Sequence, residues 1–337
     1  MAKITLSIFI PTYNRARLLS YLLESIVRDL EQWPEDLEVV VSNNASTDNT
    51  QEIVARLMKR GFPIIYLINA INIGGDGNIA SGFDLVSGKY MWVIGDDEIM
   101  YIGTVLYVLE LCRTRNFGIL HLANHGYSHG QQGTVCERKM PKNAKAALLD
   151  SKALFRSANI FLTFISANVV NRQAILANYP DFDAKTDLNT NLAQLAWTYS
   201  ALKVRNNHYY VRTPLFGALG ENTSGYKLIE VFGVNFTRIT KKYLQHAIPG
   251  AERIIANAVI TRLLPRQLMS QFGSSENKNR FLDEDLVAAA NNCFQDKLLF
   301  KLFLKPMLSD SSLCRRIAFF CVRAFNTINR TLGYKFL

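Results

Sequence analysis

The chain opens with a short run of apolar, β-branched residues over 4–10 that Pro11 closes, the pattern of a buried strand. Over 17–30, Leu18, Leu19, Leu22, Leu23, Ile26, Val27 and Leu30 recur at helical spacing. A second apolar run at 37–41 ends in the polar turn Ser42-Asn43-Asn44-Ala45-Ser46-Thr47-Asp48, and 50–59 reads as a helix capped by Asp48 or Thr47. Third and fourth strands fall at 64–68 and 90–94, the latter stopping at Gly95-Asp96-Asp97-Glu98. A helix over 104–113, a strand over 118–122 and a polar stretch over 124–145 follow. Strands alternating with helices, each strand ending in a tight polar turn, predict an α/β fold with a parallel, doubly wound sheet. Such sheets bind ligands beyond the carboxyl ends of their strands, where all of these polar clusters fall.

Further along, 160–171 predicts a buried strand region, and 187–202 a helix through Leu188, Leu192, Leu195, Ala196, Tyr199 and Leu202. After Gly225 the pattern becomes that of amphipathic helices, which divides the chain into residues 1–225 and a helical region, 226–337. From Ser311 onward Leu313, Ile317, Phe320, Cys321, Ala324, Phe325, Ile328 and Leu332 keep helical spacing, with Arg315, Arg316, Arg323 and Arg330 nearby. A basic helix of this kind suits an anionic membrane interface; packing against the rest of the protein or a partner is the alternative.

Composition narrows the classes. Of the 337 residues, 49% are hydrophobic and 20% charged, the balance of a packed globular protein rather than a disordered one. The best candidate for a membrane span, 157–170, is too short and carries Asn159 and Asn168. Met1-Ala2-Lys3 leads straight into the first strand, unlike a signal peptide, so the expected location is cytoplasmic. Five scattered cysteines, never in a CxxC pair, indicate neither a disulfide framework nor a zinc site. A net charge of +10 is compatible with nucleic acid, anionic lipid or phosphorylated substrates. From Lys297 to the last residue, eight basic side chains stand against Asp310 alone, so much of that excess sits in one segment.

The sharpest chemical feature is the acidic cluster Asp96-Asp97-Glu98. Adjacent carboxylates at a strand end repel one another, and a divalent cation such as Mg²⁺ or Mn²⁺ relieves this while leaving coordination sites for phosphate oxygens. An acidic turn that caps the next helix is the alternative. Asn72-Ile73-Gly74-Gly75-Asp76-Gly77 superficially suggests a dinucleotide-binding loop, but its glycines follow the third strand rather than the first and their spacing is wrong.

Four segments resemble, in order and spacing, the motif series of the family 2 glycosyltransferases. They are Ser7-Ile8-Phe9-Ile10-Pro11-Thr12-Tyr13-Asn14-Arg15, the stretch from Val39 to Thr50, Asn72-Ile73-Gly74, and Gly95 to Glu98. Trp92 before Gly95-Asp96-Asp97 and the Asn-x-Gly-x-Asp stretch resemble the abequosyltransferase-like branch, which decorates bacterial O-antigens. The resemblance covers about residues 4–225 and implies a GT-A fold, a nucleotide-diphosphate sugar donor, and a divalent metal held by Asp97 and Glu98. It implies donor contacts from Pro11, Thr12, Tyr13, Arg15, Asn43, Asn44, Asn72, Asp76 and Asp96. Independently, Tyr13 at a strand tip is placed to stack on a base, and an asparagine amide offers both donor and acceptor to one. Asn43 and Asn44 stand where the family usually has at least one aspartate, and Gly77 where related sequences tend to have arginine.

The stretch Thr163-Phe164-Ile165-Ser166-Ala167-Asn168 resembles the family's acceptor-side strand. In Phe182-Asp183-Ala184-Lys185-Thr186-Asp187, Asp187 matches the second member of the family's Glu-Asp pair, which implies the catalytic base of an inverting transfer; N-capping the following helix is its other reading. Asp181 and Asp183 stand in reserve, and His208 and Glu221 are candidates for a metal or acceptor contact. The resulting expectation is a glycosyltransferase acting on a saccharide or lipid-linked glycan, peripheral at the inner face of a bacterial plasma membrane and without nucleic-acid partners. The rivals are a nucleotidyltransferase, which would want a glycine-rich loop where Thr12-Tyr13-Asn14-Arg15 stands, and a non-catalytic basic nucleic-acid-binding or scaffold protein.

Overall fold

Residues 3–28, 30, 32–220, 225–273 and 285–331 are described in the computed structural model. The predicted alternation is present as β1 (Leu6–Thr12), α1 (Ala16–Val27), β2 (Leu37–Asn43), α2 (Thr50–Lys59), β3 (Ile64–Ile68), α3 (Gly75–Leu85), β4 (Tyr90–Val93), β5 (Glu98–Met100), α4 (Thr104–Thr114) and β6 (Ile119–Tyr127). β7 (Ala146–Leu149), β8 (Asn168–Val170) and β9 (His208–Leu219) complete a nine-stranded sheet. Its main path runs β3-β2-β1-β4-β8-β6-β9-β5, with β7 added to β9. β3, β2, β1 and β4 are mutually parallel, whereas β8 joins antiparallel to both β4 and β6. The sheet is therefore mixed beyond β4.

β1, β2 and β4 are buried almost throughout, which is why they read as continuous apolar runs rather than as an alternation. The apolar stripe of α1 (Leu19, Leu22, Leu23, Ile26) packs with Leu6, Ile8, Ile10, Val39 and Val41 in one core. This anchors the carboxyl ends of β1, β2 and β4 on one edge, the frame on which the polar turns are carried.

Two expected elements differ. The run 160–171 is strand only at Asn168–Val170, preceded by 3₁₀ turns at Asn159–Thr163 and Ile165–Ala167. Asn159 takes a left-handed φ of 35°. The Asn168 amide donates to the carbonyls of Leu162 and Phe164 at 3.1 and 2.9 Å, so these are satisfied without a strand partner. The helix expected over 187–202 begins only at Leu195, within Leu195–Val204. Asn189 and Asn191 both have positive φ, 62° and 58°, which a right-handed helix does not admit. Asp187 consequently lies in a run of turns and caps no helix.

Contacts divide the chain into two compact units: Met1–Leu154, Leu162–Asn189 and Ala193–Gly220 form one, and Phe155–Phe161, Thr190–Leu192 and Glu221–Leu337 the other. The first contains the sheet. The second is helical, with helices at Phe236–Leu244, Ala251–Ala258, Leu264–Gly273, Leu286–Phe294 and Ser312–Thr331. Three π-helical segments interrupt it, Glu230–Asn235, Val259–Leu263 and Phe300–Leu304. At each, an amide donates five residues back, Phe236 to Val231, Leu264 to Val259 and Lys305 to Phe300. All five cysteines are free. No helix of the described residues is long and apolar enough to cross a membrane. Glu221 and residues 332–337 lie outside the described residues.

Candidate functional site

Parallel pairing of β1 with β4 brings the ends of two distant segments together. The Thr12 hydroxyl donates to Asp96 Oδ2 at 2.7 Å. Arg15 reaches across with one nitrogen, 3.1 Å from Asp96 Oδ1 and 2.9 Å from Asp97 Oδ2. Pro11 is the last but one residue of β1, opposite Ser42, and Tyr13 stands exposed just beyond Thr12. Asp96 and Glu98 are buried, whereas Asp97 retains 22% of its side-chain surface. Burial pushes the Asp96 carboxyl up to about 6; the Asp97 charge adds to this and Arg15 opposes it. Burial, reinforced by Asp97, holds the Glu98 carboxyl well above the usual carboxylate range.

Glu98 is held at one oxygen only. Its Oε1 accepts from the Ser166 hydroxyl at 3.1 Å, while its buried Oε2 has no partner. Ser166 Oγ in turn accepts the Gly95 amide at 3.0 Å, and its carbonyl accepts from the Trp92 indole at 2.8 Å. Gly95 has to lack a side chain: a methyl there would lie 2.9 Å from Asp97 Oδ1, 3.5 Å from Glu98 Oε1 and 3.6 Å from Ser166 Oγ. Three oxygens therefore border the space that the glycine leaves open. Among the described residues no group of three His, Cys, Asp or Glu side chains forms a complete cation cage. The donor set nevertheless fits Mg²⁺ or Mn²⁺: hard carboxylate oxygens, one of them buried and unpartnered, with other positions left to phosphate oxygens.

The neighbouring loops are joined by amides. Asn14 adopts φ 52°; its N–H donates to Ser46 Oγ at 2.9 Å and its Oδ1 accepts the Thr47 amide at 2.7 Å. Asp48 Oδ2 accepts the Ala16 amide and Oδ1 the Thr50 amide, so one carboxylate serves the first turns of both α1 and α2. Asn43 donates to the Tyr66 hydroxyl at 2.7 Å and accepts from the Ser46 amide at 2.8 Å. Asn44 donates to Asn72 Oδ1 and the Gly74 carbonyl, and accepts from Asn69 Nδ2 and the Ile73 amide. All four of its hydrogen-bonding positions are occupied within the protein, so it holds this loop in shape and offers no free edge to a base. Asn72 also accepts the Gly74 amide, and Asp76 lies in the first turn of α3.

Residues 7–165 match the family model described as Glycosyl transferase family 2. The chain belongs to the family 2 glycosyltransferases. Over 96 residues, 28% of each chain, it is 41% identical to abequosyltransferase RfbV of Salmonella typhimurium. Over 125 residues, 37% of this chain and 36% of the relative, it is 32% identical to a GalNAc(5)-diNAcBac-PP-undecaprenol beta-1,3-glucosyltransferase of Campylobacter jejuni. The matched segments thus span about a third of those curated relatives. In fold, the chain resembles S. aureus TarS 1-349 with a TM-score of 0.60 and 18% identity, covering 97% of this chain and 91% of that one. It also resembles the mannosyltransferase PcManGT of Pyrobaculum calidifontis in complex with GDP-Man and Mn²⁺, with a TM-score of 0.53 and 14% identity over 97% and 88% of the chains. The fold is GT-A, with a helical C-terminal region.

In this family 2 glycosyltransferase, the remaining candidates separate. Asp187 is buried in its turn, next to Thr186, whose hydroxyl donates to the Asp183 carbonyl. Asp181 and Asp183 are exposed. His208 is no ligand: it is fully buried on β9, its Nδ1 accepts the Ile119 amide at 3.0 Å, and its Nε2 meets Ser151 Oγ at 3.0 Å. Burial lowers its pKa to about 4, keeping it neutral. Sequence reasoning gave no role to Ser166, Tyr66 or Tyr127, whose hydroxyl donates to the Asp97 carbonyl at 2.6 Å. Ser166 lay inside the acceptor-side stretch, the one signal available; the tyrosines carried none.

Proposed function

We propose that the chain transfers a sugar from a nucleotide-diphosphate donor to a hydroxyl of a saccharide acceptor, carried on a lipid-linked glycan of a surface polysaccharide. The observation that carries this reading is the convergence of Thr12, Arg15, Asp96 and Asp97 at the carboxyl ends of β1 and β4. The relatives support the acceptor class, since one is named for O-antigen-type sugar transfer and another for an undecaprenol-linked glycan. Donor-bound TarS, in complex with UDP-GlcNAc, supports the donor class.

In this reading Tyr13 and Asn43 face the base, Pro11 and Thr12 shape the floor beneath it, and Asp96, steadied by Thr12, is turned towards the donor. Asn44 and Asn72 brace the loop from which Asp76 projects. Asp97 and Glu98 would hold Mg²⁺ or Mn²⁺. Such a cation supplies counter-charge for the departing diphosphate. Arg15 already stands between two of the carboxylates, so its guanidinium is available to the phosphates once the carboxylates are engaged elsewhere. Asp187 serves as the base that takes the proton of the acceptor hydroxyl in an inverting transfer.

A basic, apolar-striped helix at Ser312–Thr331 would bring the enzyme to an anionic membrane, where such an acceptor resides. Its Leu313, Ile317, Phe320 and Ile328 are all exposed.

The test is a panel of nucleotide sugars screened for Mn²⁺-dependent thermal stabilisation, followed by turnover of the stabilising donor with Asp187→Asn. One donor should stabilise the protein, and the variant should lose about 10²–10⁴-fold in kcat with donor affinity preserved. Stabilisation by no donor would sink the transfer reading. Unchanged kcat, or retention of the donor's anomeric configuration, would remove Asp187 from the base role.

A further inference from the structure

A second cavity lies wholly within the helical unit. It holds about 600 Å³, and its lining includes Arg262, Arg266 and Arg323, the rings of Phe161 and Phe319, and Asn326, with no carboxylate. The Arg262 guanidinium stands over the Phe161 ring, 5.4 Å from its centroid. Asn326 donates to the Thr261 carbonyl at 2.6 Å, and its Oδ1 is buried without a partner, an acceptor left for a hydroxyl. Three guanidinium groups around one concavity create a local positive potential suited to a phosphate, which arginine engages with paired N–H donors.

The surroundings say which phosphate. Phe319, Arg323 and Thr327 line the cavity, while their immediate successors Phe320, Ala324 and Ile328 are exposed. With Leu313 and Ile317 these form an apolar stripe rotated by about 100° around the helix from the cavity-facing residues. A cationic cavity beside an exposed apolar stripe matches a molecule with a phosphate head and hydrocarbon tails.

We propose that this cavity is a binding site for the phosphate headgroup of an anionic membrane lipid, with the stripe resting among the acyl chains. The inference rests on the membrane reading of the same helix and adds a defined headgroup site to it. Diffuse surface charge would attract any anionic bilayer through all basic residues alike; a built site makes Arg266 and Arg323 count for more than other cations of the unit.

The experiment compares the full chain with two double variants of equal charge change. One is Arg266→Gln with Arg323→Gln, inside the cavity; the other is Lys301→Gln with Arg316→Gln, outside it. Affinity is read by co-sedimentation with phosphatidylcholine vesicles containing phosphatidylglycerol, after circular dichroism confirms that each variant is folded. The cavity pair should lose about tenfold more affinity than the control pair. Monomeric dihexanoyl phosphatidylglycerol should bind the parent protein and not the cavity pair, and inorganic phosphate at equal concentration should not displace it. Equal losses for the two pairs overturn the cavity site and leave the membrane reading standing. Inorganic phosphate that binds as tightly as the short-chain lipid overturns the headgroup assignment. A parent protein that ignores anionic vesicles overturns both.

Discussion

The turns after β2 and β4 lie on the same sheet edge and are built from short polar side chains, yet they end in opposite conditions. After β2, Asn44 has every hydrogen-bonding position filled by Asn69, Asn72, Ile73 and Gly74. After β4, Glu98 keeps an unpartnered buried oxygen, and Asp96 is burdened by burial and by its neighbour's charge. Neutral amides carry donors and acceptors together and can close a network among themselves. Carboxylates only accept, so a cluster of them stays incomplete until something positive arrives. The first turn is scaffold; the second is where a ligand can still lower the energy.

Breaking the incomplete side should have the largest effect. Asp97→Asn is expected to reduce kcat/KM by about 10²–10³-fold with little change in melting temperature, since it removes charge and keeps shape. Steady-state kinetics beside thermal melts check this; a variant that unfolds instead would place Asp97 among the scaffold residues. Breaking the complete side should do the reverse. Asn44→Ala strips four hydrogen bonds from a buried loop and is expected to cost roughly 2–4 kcal/mol of stability by denaturant titration. Its kcat should stay within a few-fold of the parent wherever the protein is folded.

The comparison is sharpened by His208, another polar group fully used inside the fold. Neutral in the folded protein down to about 4, it accepts a proton in the unfolded chain below its ordinary value near 6.5. Between those values the unfolded state binds more protons, so stability should fall as pH drops from about 6.5 to about 4, by roughly 1 kcal/mol per unit at most. His121, also buried and also lowered to about 4, adds the same sign in the same window. The slope of unfolding free energy against pH should flatten in His208→Asn; an unchanged slope would mean the ring does not stay neutral.

The sequence pattern located β1 to β4 because each is a continuous apolar run bounded by turn residues. It failed at β5, where three residues beginning with a glutamate present no period at all. It also failed at 187–194, where apolar spacing persisted while Asn189 and Asn191 turned the backbone left-handed. The acidic cluster was legible as a cluster. That Arg15 bridges it, and that Asn44 is fully engaged, was not, because those partners lie far off in sequence, up to 82 residues away. Local chemistry can be read along a chain; which groups remain unsatisfied depends on pairings that only folding makes.

The π-helical segments carry a consequence of another kind. Each holds one residue more than an α-helical path of the same span requires. Removing a single residue from Val259–Leu263 would restore ordinary winding and rotate everything after it by about 100° relative to what precedes. Pro265 and Arg266 would then swing out of register with Thr261 and Arg262, with which they share a cavity wall. In the helical unit, chain length is itself part of the encoded information. Libraries of one-codon deletions should find intolerance concentrated at these three segments, at positions where many side-chain replacements pass unnoticed.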